Sequence, residues 1–122
     1  MFNATILEHF ERPRNAGELP APALRVEATN PVCGDILHLW LLVEAGCIRE
    51  MRFKAKGCVA AIASASMLTE MVRGKNLEQA SHVSSSQISA ALGGLPPESG
   101  HAAELAEQAL KAALQAALAW RG

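Results

Sequence analysis

The spacing of apolar residues divides the chain into a short helix, a block of strands and a block of helices. Phe2, Ile6, Leu7 and Phe10 recur at helical intervals, Asn3 or Thr5 can cap the segment, and Pro13 cannot extend it, so residues 3–11 are predicted as a short amphipathic helix. RPRNAGELPAP then reads as a loop. Stretches with period two follow at Leu24–Ala28, Asp35–Glu44 and Ile48–Lys56. In the last of these, Met51, Phe53 and Ala55 alternate with Glu50, Arg52, Lys54 and Lys56, the pattern of an antiparallel strand with one face in water. Ala45, Gly46 and Cys47 supply the turn before it. The middle stretch is apolar on both faces over Ile36–Val43, which marks a central strand, with His38 and Trp40 on the face opposite Leu37, Leu39 and Leu41. His38 is read as a partly exposed sheet residue rather than a ligand.

From Val59 the period becomes helical and runs to Arg73, where Gly74 suits a C-terminal cap. Shorter helices are predicted over Leu77–His82 and Gln87–Leu92, the second capped by Ser85. After GGLPPESG, a long Ala/Leu helix runs from His101 to Trp120, apolar at Leu105, Ala109, Ala112, Ala113, Ala116 and Ala117. The order αβββααα indicates an α+β fold, a three-stranded antiparallel sheet covered by helices on one face. No internal repeat or linker breaks the chain, so residues 1–122 are read as one domain.

Composition narrows the function. A chain of 122 residues is long enough for a true core. With 19% charged residues and a net charge of -1, it offers no broad basic face to nucleic acid or anionic lipid. Apolar runs such as Leu39–Val43 fall far short of the roughly 20 residues that span a bilayer. Glu8 and Glu11 interrupt the start of the chain where a secretory leader needs a basic, then apolar, stretch, and a cytoplasmic location is expected. Three cysteines are an odd set for an intracellular chain, so metal binding, reactivity or packing must explain them rather than a disulfide framework.

Cys33 lies in the loop before the second strand, and Cys58 lies where the third strand gives way to a helix. A thiol in the first turn of a helix meets the positive end of the macrodipole, which favours the thiolate that metals and electrophiles require. Gly34 lets Cys33 and Asp35 turn toward a common centre, and Gly57 lets the backbone turn before Cys58. His101 opens the last helix. Cys33, Asp35, Cys58 and His101 therefore all stand at element ends, and as a set of mixed softness they could complete a tetrahedral metal site. Cys47, at the hairpin, is read as an incidental, partly buried thiol. Ala60, Ala61, Ala63, Ser64 and Ala65 are read as letting the helix after Cys58 sit close to the sheet. Met67, Leu68 and Met71 are read as core, Ser64 and Ser66 as bonded back to their own helix, and His9 and His82 as surface residues.

HFERPRNAG at 9–17, NPVCGD at 30–35, MRFKAKGC at 51–58, AIASASMLTE at 61–70, GK at 74–75 and LPP at 95–97 stand in one order at fixed spacing. In these motifs the chain resembles the NifU N-terminal or IscU-like family of iron–sulfur cluster assembly scaffolds, with the related SufU group. The resemblance implies the same αβββααα (SufE/NifU-like) fold. It also implies a protein that takes sulfur from a cysteine desulfurase together with iron, holds a transient [2Fe-2S] cluster or a Zn or Fe ion, and passes it to acceptor apo-proteins. Carried over residue by residue, the cofactor and metal ligands are Cys33, Asp35, Cys58 and His101. The last helix of IscU-like members opens with His-Cys, whereas here the pair is His101-Ala102, so the third thiol is missing. LPPES replaces the LPPVK that IscU-like proteins present to an Hsp70-type chaperone, which argues against recruitment through that loop. The segment between the long helix and His101 has no room for the SufU insertion, so the subgroup stays open, as does a homodimer that supplies a missing ligand. Arg12 and Arg14 match family positions after the first helix and are read as organising the loop or a partner surface.

Two other functions fit the same residues. One is a zinc-dependent persulfide-accepting sulfur carrier or sulfurtransferase with Cys58 as nucleophile and His101 as its base. The other is a diverged interaction module that kept the fold and lost the metal.

Overall fold

A computed structural model describes residues 2–119 of the protein. The expected α+β architecture is present, with α1 (Ala4–Glu11), then β1 (Leu24–Asn30), β2 (Asp35–Glu44) and β3 (Cys47–Lys56), then the remaining helices. Asn3 caps α1 by accepting from the Ile6 N–H at 2.8 Å. The strands form one antiparallel sheet in the order β1-β2-β3, so the strand that is apolar on both faces is indeed the central one. Glu44 pairs with Cys47 across a two-residue turn in which Ala45 (φ 53°) and Gly46 (φ 76°) both lie in the left-handed region. This geometry matches the twist of a tight hairpin, and Gly46 adopts it without steric penalty. Cys47 is therefore the first residue of β3 rather than part of the turn.

After the sheet come α2 (Val59–Val72), α3 (Leu77–Ser81), α4 (Ser85–Ala91), a 3-10 turn (Pro97–Ser99) and α5 (Gly100–Ala119). The expected extension of α5 to Trp120 lies outside the described residues. α4 is capped by Ser84, one residue before the expected Ser85, in a reciprocal capping box with Gln87. α5 packs on β1 and β2 while α2 packs on β3, α1 and α5, so both long helices cover one face of the sheet. Leu37, Leu39, Leu41, Met51 and Phe53 fill the layer between them. Each such side chain contributes roughly 1.5–3 kcal/mol on full burial. Ala60, Ala63 and Ala65 are 0% exposed, so α2 is hemmed in on several sides, and only small residues allow that approach. Leu68 is fully buried as expected, while Met67 and Met71 are half-buried against the core.

One feature of the outer layers differs from the sequence reading. In α1, Leu7 and Phe10 face outward and His9 is buried with Ile6. On the open face of the sheet Trp40 is also buried, with the Arg25 guanidinium 5.7 Å from its ring centroid and His38 beside it.

Candidate functional site

The β1–β2 loop is built by its own side chains. The Asn30 side-chain oxygen accepts from the N–H groups of Val32 (3.0 Å) and Cys33 (3.4 Å), and the Gly34 N–H donates to the Asn30 carbonyl (2.7 Å). Pro31 needs no donor partner, and Gly34 (φ 75°) takes the left-handed conformation that closes the turn. The result holds Cys33 exposed at the end of the sheet. Asp35, the first residue of β2, points to the same face as Leu37, Leu39 and Leu41, and its carboxylate is buried at the edge of the core.

Lys56 at the end of β3 pairs with Ile36, so α2 starts beside Asp35. The ideal Cβ of an alanine at Gly57 would lie 2.6 Å from Asp35 Oδ1 and 2.7 Å from its Cγ. Gly57 is thus required for close approach rather than for an unusual backbone turn. Cys58 is the N-cap of α2, one position before the first turn expected for it, and its thiol makes no capping bond. Instead Cys58 Sγ lies 3.7 Å from Asp35 Oδ2. α5 begins near the same corner, where Thr29, Asn30, Pro31, His101 and Glu104 line a shallow cleft.

The donor atoms of Cys33, Asp35 and His101 all lie within 4.8 Å of one another. A tetrahedral ion with bonds of about 2.0–2.3 Å spaces its donors about 3.3–3.8 Å apart, so side-chain adjustments of about an ångström would gather the three. Cys58 stands against the same carboxylate but is not one of that group of three, and its hydrogen-bond partner is Asp35 rather than His101. All four residues singled out from the sequence therefore meet around Asp35. Cys47 is exposed at the other end of β3, where it bridges to Asn76. It is not the partly buried thiol expected, because the tight turn leaves its side chain in solvent.

Ala102 is 1% exposed and packs with Ala60 and Ala61, flanked by Phe2 and Leu95. The corner between the first turns of α2 and α5, where a third thiol would stand, is a plug of methyl groups. Further along α2, Ser64 Oγ is buried without a hydrogen-bond partner, so it does not bond back to its own helix as expected.

One polar cluster was missed by the sequence reading. His9 Nδ1 lies 2.8 Å from Ser66 Oγ, which also accepts from the Arg14 N–H at 2.9 Å. Thr69 Oγ1 bonds the Ser66 carbonyl (2.7 Å) and receives Asn15 Nδ2 (3.1 Å), and His9 Nε2 faces Glu70 at 3.5 Å. Burial, followed by the Arg14 charge, lowers the His9 pKa from its ordinary 6.5, against the opposing pull of Glu70 and Glu8. A neutral ring that accepts at Nδ1 and keeps its proton on Nε2 fits these contacts. The cluster locks α1 and the Arg14 loop to α2. Ser66 thus serves a tertiary contact, not its own helix. The only available signal was the i, i+3 spacing of Ile6 and His9, which the adjacent Phe10 obscured.

A three-stranded sheet backed by two long helices, with thiols and a carboxylate gathered where those helices start, defines a recognisable class. The chain belongs to the NifU-like N-terminal domain family, whose profile matches residues 1–119. Among individual relatives, the iron-sulfur cluster assembly scaffold protein IscU of Haemophilus influenzae is 41% identical over 117 residues, covering 93% of this chain and 92% of that protein. IscU of Azotobacter vinelandii, of the same description, is 40% identical over 118 residues, covering 93% and 91%. The SufU structure from Fervidobacterium islandicum superimposes with a TM-score of 0.76 at 21% identity, over 93% of this chain and 96% of that one, and supports the fold.

Proposed function

We propose that the protein is an iron–sulfur cluster assembly scaffold. It receives iron and sulfur, the latter from a cysteine desulfurase, holds a labile [2Fe-2S] cluster or a single Zn or Fe ion, and releases it to acceptor apo-proteins. The observation that carries this reading is the meeting of Cys33, Cys58 and His101 around the buried Asp35. Thiolates suit cluster irons and zinc, and imidazole and carboxylate complete a mixed set. Exposure of both thiols lets cargo enter and leave without opening the core. A donor set short of thiolates binds its cargo loosely, which favours transfer over storage. The protein in this role is a carrier rather than an enzyme.

The test is elemental analysis with visible absorption of protein purified anaerobically. One Zn(II) or Fe(II) per chain is expected, and Cys33→Ser combined with Cys58→Ser should remove it. Unchanged metal content in the double variant would show that these thiols are not the ligands.

A further inference from the structure

Successive side chains of β2 point to opposite sides of the sheet, so Asp35, Leu37 and Leu39 face the helices while His38 and Trp40 face away from them. The register sets out rows on that open face: Arg25, Trp40 and Arg52 in one, Glu27, His38 and Lys54 in the next, and Thr29, Ile36 and Lys56 beyond. Trp40 is only 8% exposed although no long helix packs on this side, so its cover comes from neighbouring side chains. The Arg25 guanidinium stands 5.7 Å from the indole centroid, and the centroid of the His38 ring lies 6.2 Å away.

A hydrogen bond of fixed direction holds Arg25 in that place. Arg25 Nη2 lies 2.6 Å from His38 Nδ1. A guanidinium has only donors, so Nδ1 is the acceptor, carries no proton, and belongs to a neutral ring. Glu27 is shared between the two, with Oε1 3.5 Å from His38 Nδ1 and 3.9 Å from Arg25 Nη2. The other charges around the ring have partners of their own. Lys54, paired with His38 on β3, reaches Glu18 at 2.7 Å, and Arg52 reaches Glu50 at 3.4 Å. Glu18, Arg25, His38, Trp40 and Lys54 line one shallow hollow, from which water reaches the partly exposed imidazole.

We propose that His38 is a pH-operated latch over Trp40. At neutral pH the uncharged ring holds Arg25 across the indole. A proton taken from solvent onto Nδ1 removes the acceptor and sets two cations against each other at 2.6 Å. The imidazolium then donates from Nδ1 to Glu27, whose oxygen has only to close from 3.5 Å to about 2.8 Å, the length of a charge-assisted bond. Arg25 leaves the ring, and Trp40 opens to solvent. One hydrogen bond is exchanged for another, so the latch reverses when the proton leaves. It displays an aromatic surface on the open face of the sheet in acid and covers it at neutral pH, and it operates whether or not the metal corner is loaded, since His38 and Asp35 face opposite sides.

The experiment follows acrylamide quenching of Trp40 fluorescence between about pH 8 and about pH 5, the range in which imidazoles change charge. It uses the full chain carrying Trp120→Phe, which leaves Trp40 as the one indole. Quenching should rise in a single step on acidification, with the far-ultraviolet circular dichroism unchanged. His38→Gln keeps a neutral acceptor for Arg25, so quenching should stay at the low level throughout. Arg25→Ala removes the cover, so quenching should stay at the high level throughout. Glu27→Gln removes the carboxylate that stabilises the imidazolium, so the step should move to lower pH. His9→Gln should keep the parent's step. Flat quenching in the parent, or a step that survives in His38→Gln, would overturn the latch.

Discussion

The contact between Gly57 and Asp35 can be tested with one methyl group. The Gly57→Ala side chain would meet Asp35 Oδ1 at 2.6 Å, Cγ at 2.7 Å and Cβ at 3.1 Å. Gly57 has no positive φ, so by itself the substitution would stabilise the chain by about 0.4–1 kcal/mol through the unfolded state. The clash acts in the other direction. Asp35 is buried and begins β2 in register with Asn30, so its short side chain cannot swing clear without disturbing the strand. Overpacking of this kind costs about 1–3 kcal/mol. An unfolding entropy of roughly 2.1 cal/mol/K per residue over 122 residues makes 1 kcal/mol worth about 4 °C, so a net fall of up to about 10 °C is expected in the metal-free protein. Displacement of the carboxylate from Cys33 and His101 should also weaken zinc binding by roughly 10–100-fold, the scale on which misplaced metal surroundings act. Calorimetry gives the first quantity, and competition with a chromophoric chelator gives the second. The decisive control is a cycle with Asp35→Ala, which removes Oδ1 and Cγ. The double variant should be more stable than the sum of the single effects, by about 0.5–3 kcal/mol. Additive effects would refute the reasoning.

Because the His9 pKa is lowered, an unfolded chain takes up the proton first on acidification. The stability from His9 is thus in full above about pH 6.5 and is lost as pH falls toward the folded value. Urea midpoints across that window should decline in the parent, and the slope should flatten in His9→Gln; an equal slope in both would assign the titration elsewhere. Ala45 holds a left-handed conformation at φ 53°, so Ala45→Gly or Ala45→Asn should raise stability by about 1 kcal/mol, visible as a shift of the denaturation midpoint. No gain in either variant would mean that Ala45 relaxes out of that conformation in solution. Cys47→Ser should leave metal content unchanged, and a loss of bound metal would contradict the placement of Cys47 away from Asp35.

The strand block was legible in the sequence because a sheet with one covered face writes a period of two into the chain. Met51 and Phe53 are buried while Lys54 and Lys56 are exposed, and β2 begins at Asp35 and ends at Glu44, the boundaries its pattern predicts. α2 and α5 were legible for the matching reason at period 3.6, and the turn at Cys33 through Gly34, whereas the part Asn30 plays in holding it came from the structure. The convergence of Cys33, Asp35 and His101 was legible only as residues placed at element ends, since 66 positions separate Asp35 from His101 and periodicity carries no distance across that gap. Tertiary structure alone decided what local pattern could not rank. It turned His9 inward and Phe10 outward, because α2 presents Ser66 and Glu70 opposite the ring and rewards a hydrogen-bonded imidazole over a phenyl group. It set Gly57 against a carboxylate 22 residues away, and it closed the corner at Ala102 with the methyls of Ala60 and Ala61. Such pairings depend on which surfaces meet when two helices dock on one sheet, and a helix records in its own sequence that it has a buried face, not which side chain waits on the other side.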